Sequence, residues 1–299
     1  MNGPETMEHA LGPTADPAWV LDADGYDPLR ESSVESRFAI SNGFLGIRGA
    51  RATTRGARWI VPPRTYVAGL FDTSGTEGTI SGLVPAADWL QGRILLPGGP
   101  LLHHPGDVLS HRMTLDLRRG ALLSASRLKT PELGILRLRT LRLVSLSERA
   151  VGLQLIQMEI EKGDIEITFE TSFEGVDLGL VSEKLEQDLG VWRTHSSGKG
   201  LAMAIASSLQ IDGHDLPPTA LGPLKWSWSW TSRPGQVVCF ERSVAVARSD
   251  TQGLDPGSGA RGAGQARHLA THRLAWRARG ARGGLGKPLA VQRRRGRRR

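Results

Sequence analysis

The sequence predicts an all-β protein, a large antiparallel sandwich or barrel, on three observations. Apolar residues up to about residue 250 recur at every second position, Gly- and Pro-bearing turns separate the runs, and no stretch there offers three helical turns capped at both ends. Many strands joined by such turns indicate stacked or closed antiparallel sheets. With 299 residues, 39% of them apolar and 23% charged, the chain is long and apolar enough to bury a sizeable core.

The elements follow in order. Met113, Leu115 and Leu117 alternate with Thr114, Asp116 and Arg118, and Arg119-Gly120 supplies a hairpin turn. Ile135 to Val144 forms a second alternating run. Val151, Leu153 and Leu155 share one phase while Ile156, Met158 and Ile160 share the other, a slip that a bulge or strand bend would produce. Lys162-Gly163 then turns the chain into Ile165, Ile167 and Phe169, so residues 151–170 read as two antiparallel neighbours. Leu201 to Ile211, Trp226 to Trp230 and Val237 to Val246 complete the strands, and Gln187 to Trp192 is too short to assign.

Charge divides the chain unevenly. Residues 257–299 hold 12 Arg, one Lys and no acidic residue, whereas residues 1–256 hold 25 basic against 30 acidic side chains. The net charge of +8 therefore belongs to the tail, and the body is mildly acidic. Closely spaced glycines argue against regular structure in the tail, apart from a marginal helix at Ala266 to Arg279. The expected organisation is a disordered N-terminus (1–18), one β domain (19–256) and an Arg/Gly-rich tail (257–299), disordered or translated out of frame. A tail of this kind would hold nucleic acid and other polyanions non-specifically, through counterion release.

One cysteine, Cys239, allows no internal disulfide, no apolar run reaches the length of a membrane span, and the first 20 residues lack the charges and apolar block of a secretory signal. These features point to a cytoplasmic protein with no membrane partner.

Residues 35–49 read Glu35-Ser36-Arg37-Phe38-Ala39-Ile40-Ser41-Asn42-Gly43-Phe44-Leu45-Gly46-Ile47-Arg48-Gly49. This resembles the E-S-x-F-x-x-x-N-G-x-x-G-x-R-G signature of glycoside hydrolase family 65, which includes maltose, trehalose and kojibiose phosphorylases. Trp19, the run Thr65 to Asp72, Leu83-Val84-Pro85 and Asp88-Trp89-Leu90 fall in the family's order, and Gly235-Gln236, Glu241 and Ser249-Asp250 resemble its closing strands. The resemblance implies a β-super-sandwich of galactose-mutarotase-like type, the N-terminal domain of enzymes that act on α-linked glucose disaccharides. In full-length relatives inorganic phosphate is the co-substrate, a homodimer is the expected assembly, and the catalytic Glu lies in a later (α/α)6 barrel. His272 and Trp276 resemble the helical linker before that barrel, after which the match stops. The resemblance therefore implies a chain truncated before its catalytic domain and inactive alone, with no catalytic residue, no metal and no cofactor. Read physically, Asn42-Gly43 suits a tight turn with positive φ, Gly46 and Gly49 permit close backbone approach, and Phe38 and Phe44 anchor the segment. Arg48 requires a partner there, either loop atoms or a bound sugar.

Other constellations carry less. Trp226, Trp228 and Trp230 project from one side of a strand, where indoles stack on sugar rings or fill a core. With Arg48 they are the candidate carbohydrate-binding residues, and they motivate the alternative of a stand-alone carbohydrate-binding module. Glu159 with Glu161, and Asp164 with Glu166, pair two apart on a polar face, where solvation is commoner than acid–base work. His103, His104 and His111 with Asp107 lack regular metal-ligand spacing, and Cys239 is expected in the core. Pro97-Gly98-Gly99-Pro100 and Gly283-Gly284-Leu285-Gly286-Lys287 do not join a strand to a helix as a phosphate loop does.

Overall fold

The computed structural model describes residues 10–51, 64–74, 80–102, 104–173 and 179–249, and over them the alternating runs become strands. In chain order these are β1 (Val20–Asp24), then a short helix α1 (Glu31–Arg37), β2 (Ile40–Ser41), β3 (Leu45–Ile47), β4 (Thr65–Ser74), β5 (Ile80–Ala86), β6 (Gly92–Leu96) and β7 (Gly99–Pro100). There follow β8 (Val108–Asp116), β9 (Ala121–Thr130), β10 (Gly134–Val144), β11 (Val151–Ile160), β12 (Glu166–Ser172), β13 (Leu180–Leu185) and β14 (Leu189–Thr194). The last are β15 (Gly200–Ile211), β16 (His214–Leu216), β17 (Thr219–Gly222), β18 (Lys225–Thr231) and β19 (Val237–Ser249). No helix among the described residues is long and apolar enough to cross a membrane.

Among the described residues all strand pairs are antiparallel, and they form three sheets. A ten-stranded sheet runs β1-β8-β9-β10-β11-β19-β15-β14-β13, with β16 added beside β15. A five-stranded sheet runs β17-β18-β12-β6-β7, and a four-stranded sheet runs β2-β3-β4-β5. One apolar cluster joins all three, drawing Met113, Leu136, Ile156, Met203 and Phe240 from the large sheet, Ile94, Phe169 and Trp228 from the second, and Leu45, Val67 and Leu70 from the third. The two smaller sheets thus share the inner face of the large one, as a sandwich requires. Asp72 of β4 fastens this stack: its carboxylate accepts from the backbone N–H of Ser196 (2.9 Å) and Ser197 (2.6 Å) in the turn after β14.

Two sequence expectations change. β11 has no bulge, since its pairing with β10 and β19 runs without a register shift. Its phase slip arises because both faces are apolar: Ile156, Met158 and Ile160 enter the shared core, while Leu155 on the outer face joins Leu123, Leu141 and Leu11. A central strand buried on both sides loses strict alternation. Nor are residues 151–160 and the following strand neighbours, because β12 pairs with β18 and β6 in another sheet. Lys162-Gly163 therefore carries the chain between layers, with Asp164 at φ 69° and the Arg233 backbone so near Gly163 that a Cβ would lie 2.5 Å from it. The hairpin at Arg119-Gly120 forms as read, joining β8 to β9 with Gly120 at φ 61°. Helix α1, with only 7 residues, is too short to leave a periodic signal and starts without a side-chain cap.

Candidate functional site

Helix α1 delivers the first part of the signature and the hairpin β2–β3 the second. Asn42 makes the turn and anchors it: its Oδ1 accepts from the N–H of Phe44 (3.0 Å) and Leu45 (2.9 Å), while its Nδ2 donates to Ser145 O (2.7 Å) and Arg149 O (2.9 Å) on the loop between β10 and β11. Gly43 adopts φ 82°, which an L side chain resists. Gly49 is required by space, since a Cβ would meet Phe38 at 2.7 Å, whereas Gly46 would meet only an ordinary contact with Ser41 at 3.5 Å. The close approach expected at both glycines therefore holds at Gly49 alone.

Arg48 is committed to the protein. Its Nη2 donates to Ser32 O (3.0 Å) and Ser36 Oγ (2.9 Å) on α1 and forms an ion pair with Glu35 at 3.8 Å, while its backbone N–H donates to Arg64 O. The guanidinium therefore ties the hairpin to the helix, with little of it left in solvent.

Beneath this segment lies a polar seam that the motif reading did not contain. On the inner face of the large sheet, Arg142 of β10 stands opposite Gln154 of β11, Gln154 opposite Arg242 of β19, and Arg242 opposite Ser207 of β15. The row is covered by residues 86–91, which link the four- and five-stranded sheets. Ala86 ends β5 and Asp88 makes a single bridge, but Trp89, Leu90 and Gln91 lie outside the strands, so their carbonyls need other donors. Arg242 Nη1 donates to Trp89 O (2.7 Å), Gln154 Nε2 donates to Leu90 O (3.0 Å), and Arg142 donates to Ala50 O. Arg242 also donates from Nε to Ser207 Oγ (3.1 Å) and lies over the Phe240 ring. Asp88 accepts from Leu90 N and Gln91 Nε2, and Arg64 bridges Asp88 and Glu35 at 3.8 Å each. Two carboxylates thus face three buried guanidiniums, with Arg48 at the margin.

The electrostatics follow from burial. Desolvation pushes the Glu35 carboxyl above its ordinary value, with Arg64 pulling the other way. Burial lowers Arg142 to about 10, with Arg64 adding to the shift, and lowers Arg242 to about 9. Both remain cations at neutral pH.

Next to the seam a small recess opens to solvent, lined by Tyr26, Glu31, Glu35, Arg51, His111 and Met113 among others. Arg51 lies over the Tyr26 ring and pairs with Glu31 at 2.7 Å. His111 bonds Ser126 Oγ at 2.8 Å, and burial with the nearby Arg51 charge lowers its pKa to about 4.

The other candidates do not converge. Trp226, Trp228 and Trp230 are buried at 9%, 1% and 8% exposure, with Trp228 edge-on to Phe240 and Trp230 Nε1 donating to Gln236. Of the two alternatives for this row, a sugar-stacking platform or core, the rings take the core, enclosed by the other layer. Glu159 pairs with Arg137, Glu161 accepts from Ile135 N, Asp164 occupies the inter-layer turn and Glu166 is exposed. His104 is exposed, His111 is buried, and His103 and the Gly283–Lys287 stretch lie outside the described residues. Pro97-Gly98-Gly99-Pro100 forms the tight β6–β7 hairpin. Cys239, expected in the core, is half-buried on the outer face of β19, where burial raises its thiol pKa. Among the described residues no group of three or more His, Cys, Asp or Glu side chains could hold a metal ion.

The signal for the seam was present in the sequence: Arg142, Gln154 and Arg242 occupy the same phase as Val144, Ile156 and Phe240, where an apolar residue is expected. A polar side chain at an inward phase has to be partnered.

Compared with known proteins, residues 21–279 match the model of the glycosyl hydrolase family 65 N-terminal domain. The chain belongs to this family. The family-65 match runs past the boundary expected at residue 256. The domain is 27% identical over 221 residues to an uncharacterised glycosyl hydrolase of Mycobacterium tuberculosis, covering 66% of this chain and 17% of that protein. It is 25% identical over 144 residues to a kojibiose phosphorylase of Caldanaerobacter subterraneus subsp. tengcongensis, covering 48% of this chain and 18% of the relative. The chain thus spans less than a fifth of the length of these curated relatives. A solved putative kojibiose phosphorylase from the human microbiome superposes with TM-score 0.66 at 15% identity, covering 89% of this chain and 36% of that one, and so shares the fold.

Proposed function

We propose that this chain is the N-terminal sandwich of an enzyme of α-glucoside metabolism, of the kojibiose, maltose or trehalose phosphorylase kind, and that the sandwich supplies scaffold rather than reacting groups. A cytoplasmic setting, inorganic phosphate as co-substrate and a homodimeric full-length assembly belong to the same proposal. Family membership supports the sugar class. The disposition of the buried acids supports the scaffold role and carries the reading. Inverting cleavage needs two groups on opposite sides of a sugar-sized opening. Glu35 and Asp88 instead share the Arg64 guanidinium, and Asp116 accepts from the backbone N–H of Thr14 and Arg119.

The test is turnover by the purified 299-residue chain, supplied with kojibiose, maltose or trehalose with and without inorganic phosphate. The expected result is no sugar phosphate and no free glucose above background. Phosphate-dependent product that survives stringent purification and vanishes in Glu35→Gln would defeat the scaffold reading.

A further inference from the structure

We propose that the polar seam binds a small inorganic anion of halide size, held by Arg142, Arg242 and Arg64 between the large sheet and residues 86–91. The proposal is independent of the α-glucoside reading.

Three observations carry it. First, Arg142 and Arg242 lie on either side of Gln154 in one row across adjacent strands, and the Arg64 charge is near enough to Arg142 to disfavour its cation further. Second, the donors outnumber the acceptors. Arg142 Nε, Arg242 Nη2 and Arg64 Nε are buried with no hydrogen-bond partner in the protein, as is Arg48 Nε at the margin, whereas the unpartnered acceptors there are Glu35 Oε2, Gln154 Oε1 and Thr65 Oγ1. A buried N–H of a cation left unpaired is among the costliest defects a fold can carry. Third, the charge does not balance: three guanidiniums at 6%, 2% and 0% exposure face two carboxylates, one of which is biased towards its neutral form. A monovalent anion removes the excess charge and accepts several N–H groups at once. A bridging water would meet the hydrogen bonds but leave the charge.

The enclosure sets the ligand class. Residues 86–91 lie against the row and the three guanidiniums are buried, so a small anion is trapped as the layers close. Binding is thereby linked to folding.

The full chain is unfolded thermally while chloride replaces gluconate at constant ionic strength, with inorganic phosphate as a parallel arm. The expected result is a saturable rise in Tm of about 3–6 °C with chloride alone. Ser207→Asp places a carboxylate beside Arg242 without removing the Arg242 or Gln154 N–H groups that donate to the Trp89 and Leu90 carbonyls, and this variant should fold and lose most of the chloride rise. Crystals grown in bromide should show an anomalous peak within hydrogen-bonding reach of Arg142 Nε. The proposal is overturned by a Tm indifferent to chloride, by an equal rise in Ser207→Asp, by phosphate acting as strongly as chloride, or by bromide peaks confined to other places.

Discussion

Trp228 shows how far a single side chain acts in this fold. It is 1% exposed and meets Phe169 and Phe240 from two different sheets, so it fills the gap between layers. Trp228→Ala should lower unfolding free energy by about 3–5 kcal/mol, read from urea titration, because the layers cannot collapse onto the void. His111 acts through protonation. Its folded pKa of about 4 lies below the 6.5 of an unfolded chain, so the folded state binds fewer protons between those values. The stability it contributes is complete above pH 6.5 and is lost as pH falls towards 4. His111→Asn should flatten that acid limb in unfolding midpoints measured from pH 7 to pH 4, and a limb of unchanged slope would remove His111 as its cause. The phase of the Trp row was readable from sequence. Burial was one of its two alternatives, but the rings packed against it, Phe169 and Phe240, were not legible, because a period of two gives a face but not what covers it.

At the scale of elements, the signature segment is a connector. The β2–β3 turn is bonded through Asn42 to the β10–β11 loop, so one amide joins the four-stranded sheet to the ten-stranded one. Asn42→Ala removes bonds at both ends and should cost about 2 kcal/mol, at roughly 0.5–1.5 kcal/mol for each net hydrogen bond. Retained stability would mean that the turn holds itself. Asp72 plays the matching part elsewhere. Burial opposes its ionisation, yet the N–H groups of Ser196, Ser197 and Thr73 outweigh burial and hold the carboxyl below its ordinary value. Its contribution is therefore present above the ordinary carboxylate pKa and is lost as pH falls through the folded value. Asp72→Asn should show less acid-dependent loss of stability than the parent. The glycines and Asn42 that shape the turn were legible as motif letters. Their partners were not, since Ser145 and Arg149 lie more than a hundred residues away.

For the whole molecule, the large sheet sets the plan: two smaller sheets lie on its inner face, and the connection between them crosses a charged seam. The acidic body and the basic tail should behave independently. Removing residues 257–299 should abolish retention on a polyanion column at low salt, and retention of the intact chain should collapse as salt rises. Retention by the truncated protein would place the binding surface on the body.

By itself the sequence determined the strand content, the hairpin at Arg119-Gly120, the family and the location of the net charge, because each depends on residues close together in the chain. Only the tertiary structure decided which strands share a sheet, that the indole row is enclosed, and that Arg142, Gln154 and Arg242 form one row with Glu35 and Asp88 nearby. Those relations depend on register between strands some ninety residues apart, and on a linking segment whose unpaired carbonyls need buried donors. Neither leaves a local periodic trace.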